Sequence, residues 1–234
     1  MTGAGVVRRL VVLGSGGNTL DVMDIVAAIN AVTPAWELAG LLDDASPVGP
    51  NALGLHIFGR LDAAAALAAP DGPLADALFL NAIGSERNHA ARAAIVARAG
   101  LPADRFATLV HPASGVSPQA VLGRGCCIGY GVSIGGRVRC GDHVWIGPGC
   151  VIGHDSVLED HAVVAPRATM SGSVRLGQGS YLGSAAVLRP GVVVGAGALV
   201  GMGAVVLQEV APDSVVVGNP AYELRRIDRN RVPG

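Results

Sequence analysis

The chain has 234 residues, 50 % of them hydrophobic but only 3 % aromatic, which allows one or two domains with cores built from Val, Ile, Leu and Ala. Lys and Arg number 17 against 18 Asp and Glu, a formal net charge of −1, so nothing marks a nucleic-acid surface. Gly or charge breaks every apolar run before the ~18 residues a membrane helix requires, and the N-terminus lacks the long apolar stretch and cleavage site of a signal peptide; no membrane association and a cytoplasmic location are expected.

Residues 8–13, RRLVVL, predict a buried strand. Gly14-Ser15-Gly16-Gly17-Asn18 follow, and then Leu20, Val22, Met23, Ile25, Val26 and Ile29 recur at helical spacing, with Asn18 or Thr19 as the expected N-cap. A strand, a Gly-rich turn and a helix start together form an anion or nucleotide site, because free N–H groups and the helix dipole face the ligand. The motif is not a clean GxGxxG, so a tight turn without a ligand is the plainer alternative. Residues 36–42, WELAGLL, predict a second strand ending at Asp43-Asp44, where nucleotides bind in open α/β sheets. Residues 61–69 read as helix, 77–83 as strand, and 86–99 as helix with Ser85 as N-cap. This βαβαβα alternation predicts a small parallel sheet at residues 1–108. A strand at 106–110, within a Pro-containing connector, leads to the second domain, 109–234.

From Val116 the chain runs in fifteen unbroken hexads to Val205. The first slot is always apolar: Val116, Leu122, Ile128, Ile134, Cys140 and so on to Val200. The second slot is mostly Gly and the fifth is small or β-branched. A fixed short period marks a solenoid, here a parallel β-helix. The first slot forms the core, and three hexads make one triangular coil, so residues 18 apart stack at a rise of ~4.8 Å. The Gly slots are expected to supply positive φ at the corners. A pure scaffold is the bland alternative. After Val205 the pattern lapses into a terminal cap with a strand at 214–217.

Cys126, Cys127, Cys140 and Cys150 all lie within the hexads, none 18 from another, and read as small core or corner residues in a reducing compartment. Of the six histidines, His56 and His89 are expected at the surface. His143 and His161 share slot four and should stack one coil apart. His154, in slot three, has Gly136 and Gly172 as its stacking neighbours, so its ring should project into open space with the bare Gly172 amide beside it. Asp155 follows directly, and a carboxylate beside imidazole raises its basicity and fixes its tautomer. The alternative is an ordinary surface His-Asp pair. A zinc site made from His143, His154 and His161 is a rival of another class, as is a non-catalytic sugar-nucleotide sensor; no metal site is predicted.

The combination of GSGGN, LLDD, AIGSERN, LVHPASGVSP, IGHDSVLEDH and VVVGNPA resembles the bacterial nucleotide-sugar acetyltransferases of the NeuD/PglD type over nearly the whole chain. The resemblance implies an α/β, Rossmann-like nucleotide-sugar-binding domain followed by a left-handed parallel β-helix acyltransferase domain. It implies N-acetylation of a nucleotide-linked amino sugar by acetyl-CoA, with O-acetylation of a sugar or transfer of another acyl group as alternatives. His154 would be the general base, Asp155 its activator, and the Gly172 N–H the oxyanion donor. Gly16, Gly17, Asn18, Asp43, Asp44 and Gly84 would line the nucleotide-sugar site, and Val163, Ser184 and Met202 would meet acetyl-CoA. Arg225 and Arg226 would either meet the phosphates of coenzyme A or form a solvated tail. The family forms homotrimers with active sites between β-helices. Two positions depart from it: Asn18 and Val163 stand where many relatives have histidine.

Overall fold

The computed structural model describes residues 6–227. The N-terminal unit is a five-stranded sheet, β1 (Arg8–Leu13), β2 (Trp36–Leu42), β3 (Gly49–Pro50), β4 (His56–Gly59) and β5 (Leu78–Asn81), in the order β3-β4-β2-β1-β5. All pairs are parallel except β3 with β4. Sequence periodicity does not reveal β3 and β4, which are short and lie at one side of the sheet, β3 at its edge. Helix α1 spans Gly17–Val32. Its N-cap is Gly16 with no side-chain cap, and not Asn18 or Thr19. Those side chains are used elsewhere: Asn18 Nδ2 donates to the carbonyls of Ala82 and Gly84, and Thr19 Oγ1 to that of Gly14. The segment at 61–69 contains one 3₁₀ turn and the single α-turn α2 (Ala64–Leu67). The long helix expected at 86–99 is α3 (Arg92–Arg98), preceded by a 3₁₀ turn at His89–Ala91. Asn88 Oδ1 accepts from the Ser85 amide and hydroxyl, closing a turn where the helix was expected to start.

The hexads wind into the β-helix. Its first face carries two-residue strands from Leu109–Val110 through Cys127–Ile128, Trp145–Ile146, Val163–Val164 and Tyr181–Leu182 to Leu199–Val200. The hairpin Ser214–Val217 and Tyr222–Arg226 completes it. The second face runs from Gly115–Val116 to Val205–Val206 and the third from Val121–Leu122 to Val193–Val194. Below that hairpin every strand pairs in parallel with its neighbour 18 residues away, as in Trp145↔Val163 and Ile152↔Met170; Leu199–Val200 pairs with Val215–Val216, and the hairpin itself is antiparallel. The strand expected at 106–110 is confined to Leu109–Val110, which forms the lowest rung of the first face. First-slot residues and the small fifth-slot residues fill the interior.

The glycines follow a different rule from the expected one. Positive φ occurs in slot four, and non-glycine residues including Arg137, His143, Asp155, His161 and Ser173 adopt it. Slot-two glycines are needed for space. A Cβ on Gly135 would lie 2.8 Å from the His154 amide nitrogen of the next coil, and one on Gly177 2.5 Å from that of Ala196.

The N-terminal sheet docks on the first face. Leu10, Val12, Val22 and Ile25 share a core with the outward-pointing Cys127, Trp145 and Val163. The four cysteines are free and buried, and burial pushes their thiols well above the ordinary range, so they are inert.

Candidate functional site

His154 stands on the turn between the second and third faces. Its side chain is 69 % exposed and lies over the glycine of the next coil: a Cβ on Gly172 would be 2.7 Å from both Cε1 and Nε2 of the ring. Below, Gly136 is approached by Gln119 Oε1, so the open space lies on the Gly172 side alone. The Gly172 amide makes no hydrogen bond among the described residues.

His154 Nδ1 is 2.7 Å from Asp155 Oδ2. A carboxylate acceptor there places the proton on Nδ1 and leaves the Nε2 lone pair free toward Gly172. Asp155 is in turn held by Arg137, 18 residues earlier, through Nε to Oδ1 at 2.6 Å and Nη2 to Oδ2 at 2.8 Å. The hydrogen bonds from Arg137, and then from His154, hold the Asp155 carboxyl down to about 2. Sequence reasoning missed Arg137, although the stacking distance that pairs His154 with Gly172 also pairs Asp155 with Arg137.

The expected nucleotide residues gather at the carboxyl ends of β1, β2 and β5. An added Cβ on Gly16 or Gly17 would meet nothing within 4 Å, so these glycines leave the approach to the start of α1 open. Asp43 accepts from the Ser15 and Ala45 amides. Burial opposes its charge, but hydrogen bonds from Ser15, Ser46 and Ala45 outweigh burial and keep the carboxyl below its ordinary range. Asp44 faces other partners: it pairs with Arg98 at 2.7 Å and accepts from the Leu61 amide. Gly84 lies against the Arg92 guanidinium, and a Cβ there would collide with Nη1.

Two cavities open beside the turns that join the first and second faces. One, of about 240 Å³, lies between α1 and the lower coils and is lined by Asp21, Asp24, His111, Tyr130, Trp145 and Pro148 among others. Burial, then the neighbouring Asp24, raises the Asp21 carboxyl. The other, of about 740 Å³, lies higher and includes Tyr181, Ser184, Met202, Arg225 and Arg226. Ser184 and Met202, expected to meet the acyl donor, therefore line one groove together with the two arginines. Val163 does not join them. It is 3 % exposed and sealed under the N-terminal sheet, because slot six of the first face points into the domain interface.

His89 is not a surface residue. It is 4 % exposed, and its Nε2 lies 3.2 Å from the Gly197 carbonyl. His143 and His161 stack as expected, with centroids 5.0 Å apart and planes at 4°, but they occupy the turns between the third and first faces. The three histidines considered for zinc thus sit at two different corners and do not converge within one chain. Among the described residues no cluster of three or more metal-ligating side chains occurs, and no helix is long and apolar enough to cross a membrane.

The sequence pattern of the bacterial transferase hexapeptide family (six repeats) matches residues 137–172, the stretch that begins at Arg137 and ends at Gly172. Among solved structures, a complex of a histidine-to-asparagine mutant of perosamine N-acetyltransferase from Caulobacter crescentus with CoA and GDP-perosamine is 26 % identical, with a TM-score of 0.80, covering 94 % of this chain and 98 % of that one. The acetyltransferase domain of PglB from Neisseria gonorrhoeae is also 26 % identical, with a TM-score of 0.77 and coverage of 93 % and 100 %. WeeI from Acinetobacter baumannii, at 23 % identity and a TM-score of 0.74 over 93 % of this chain and all of that one, shares the fold. No match is found among curated protein sequences. In fold, and in the repeats that the family pattern matches, the chain is similar to acyltransferases of the left-handed β-helix, hexapeptide-repeat class. Within that class, the resemblance to the NeuD/PglD-type nucleotide-sugar acetyltransferases holds over nearly the whole chain.

Proposed function

We propose that this chain transfers the acetyl group of acetyl-CoA to the amino group of a nucleotide-linked amino sugar. The observation that carries the reading is the exposed His154–Asp155 pair, with Nε2 free beside the unpaired Gly172 amide. It stands in a chain similar end to end to a perosamine N-acetyltransferase crystallised with CoA and GDP-perosamine. The acceptor nitrogen attacks the thioester carbonyl while His154 Nε2 takes its proton. The Gly172 N–H stabilises the tetrahedral oxyanion, an interaction commonly worth ~3 kcal/mol. Collapse expels the coenzyme A thiolate, which recovers the proton from the imidazolium. No acyl-enzyme forms, in keeping with four buried thiols.

The nucleotide binds at Gly16, Gly17, Asn18 and Asp43, and its sugar enters the cavity beside α1, where Asp21 and Asp24 can accept hydrogen bonds from the N–H groups of a neutral acceptor amine. Acetyl-CoA lies along the groove of Ser184 and Met202, with its phosphates at Arg225 and Arg226. His154 occupies a different corner from both cavities, across the whole second face. The site is therefore completed between two copies of the chain, in a homotrimer. Heights agree with this: Pro148, at the acceptor cavity, lies in the same coil as His154, while Ser184 and Met202 lie roughly 8–13 Å higher along the axis.

Thiol release from acetyl-CoA, measured against a panel of nucleotide-linked 4-amino and hydroxy sugars, tests the reading. Turnover is expected with an amino sugar, and His154→Ala should lower kcat by 10²–10⁴-fold. Full turnover in that variant excludes the mechanism.

A further inference from the structure

We infer that Arg137 is a positioning residue for the general base: it orients the Asp155 carboxylate toward His154 and moderates that carboxylate's effect on the imidazole. The inference rests on the proposed function for its kinetic arm only.

The fork is two-point, Nε to Oδ1 at 2.6 Å and Nη2 to Oδ2 at 2.8 Å, and Oδ2 is the same oxygen that faces His154 Nδ1 at 2.7 Å. A two-point contact fixes the plane of a carboxylate as well as its position, which one ammonium cannot do. With the plane fixed, Oδ2 has one direction left for a second donor, and the Nδ1–H of His154 fills it. The ring is thereby held over Gly172 with Nε2 as its free nitrogen. Without the fork, Asp155 could rotate about χ2, and a ring with 69 % of its surface exposed makes no other hydrogen bond among the described residues.

The charge of Arg137 has a separate effect. A carboxylate beside imidazole raises its basicity. A guanidinium on the far side of that carboxylate offsets part of its field at the ring. Among the described residues, the charged groups in direct or relayed contact with the ring are Asp155 and Arg137. Gly172 and Ser173 of the coil above and Gln119 and Ser117 of the coils below are uncharged. The bland alternative is a surface ion pair, and most such pairs contribute little.

Two variants separate orientation from charge. The titration of His154 is followed by NMR in the enzyme without substrates, and kcat and KM are measured with the best acceptor. Arg137→Gln removes both effects: the His154 midpoint should rise by about half a unit, the acidic limb of kcat/KM should move up with it, and kcat should fall about tenfold with both KM values within twofold. Arg137→Lys keeps the charge without the fork, so the midpoint should stay in place while kcat still falls several-fold. A His154 midpoint unchanged in Arg137→Gln overturns the inference. Because the titration needs no substrate, it decides the matter even if no acceptor is turned over, an outcome that would count against the proposed function alone.

Discussion

His154 owes its position to the glycine above it. Gly172 does not have positive φ, so alanine there meets no backbone penalty, yet its Cβ would sit 2.7 Å from Cε1 and Nε2 of the ring. Gly172→Ala is therefore expected to push the imidazole aside without disturbing the coil. Stability should change by no more than about 0.5 kcal/mol, as for exposed sites generally, while kcat should fall ~100-fold, the usual cost of a misplacement near 1 Å. Thermal melting and steady-state kinetics on one preparation check both halves. Asp155 is held charged down to about 2, so mild acidification leaves the partner of His154 ionised. The pair and its glycine could be read from the sequence because an unbroken period of six makes 18 a fixed vertical step. Arg137 was readable by that step too, but a lone arginine in a corner slot carries no signal until its partner is identified. His89 could not be read at all: its burial depends on how the sheet docks against Gly197, 108 residues away.

Among the elements, the β-helix was legible and the docked sheet only partly so. Repetition gave every rung of 116–205, but the positive φ expected of the Gly-rich second slot occurs in slot four, since composition shows where glycine occurs and not which constraint selects it. The structure separates the two constraints into a stability prediction. Gly191 has φ +75 and open space around an added Cβ, whereas a Cβ on Gly177 would lie 2.5 Å from the Ala196 amide nitrogen. Gly191→Ala should cost about 1–2 kcal/mol, the penalty of a left-handed L-residue. Gly177→Ala must displace backbone and should cost ~3 kcal/mol. Urea titration of both variants at one protein concentration tests the order, and equal costs would contradict the assignment of slots. In the N-terminal unit, β1, β2 and β5 were visible as apolar runs, while β3 and β4 have two and four residues and no alternation to detect. The helix expected at 86–99 shortens because the Ser85–Asn88 turn is closed by its own hydrogen bonds and Arg92 is drawn into the domain interface.

At the scale of the whole molecule, that interface joins the two domains and makes their stability depend on pH. Arg92, 1 % exposed, donates to the carbonyls of Ile83, His143 and His161, tying the first domain to two coils of the second. Beside it, the stacked rings of His143 and His161 have buried Nδ1 atoms without partners among the described residues. Burial, and then the neighbouring His161, pushes His143 down to about 4 from an ordinary 6.5; Arg92 acts the same way, and Asp142 and Asp160 oppose it. Burial also lowers His161 and His89. Above pH 6.5 the ring is neutral in both the folded and unfolded chain, and stability does not vary with pH through it. Between 6.5 and about 4 the unfolded chain binds a proton that the native ring refuses, so stability falls as pH falls. His143 alone accounts for a loss of about 3 kcal/mol across that window. His143→Asn retains a residue that tolerates positive φ and removes the titration. Denaturation measured from pH 7.5 to 4.5, at fixed protein concentration so that subunit association does not shift the midpoint, should give a shallower slope for this variant than for the parent chain. Equal slopes would mean that the stacked histidines do not govern the acid limit of the fold. Light scattering across the same series tests the proposed trimer: if copies associate through the uncharged second face (Ser133, Val151, Thr169 and Val187), that assembly should survive a loosening confined to the first.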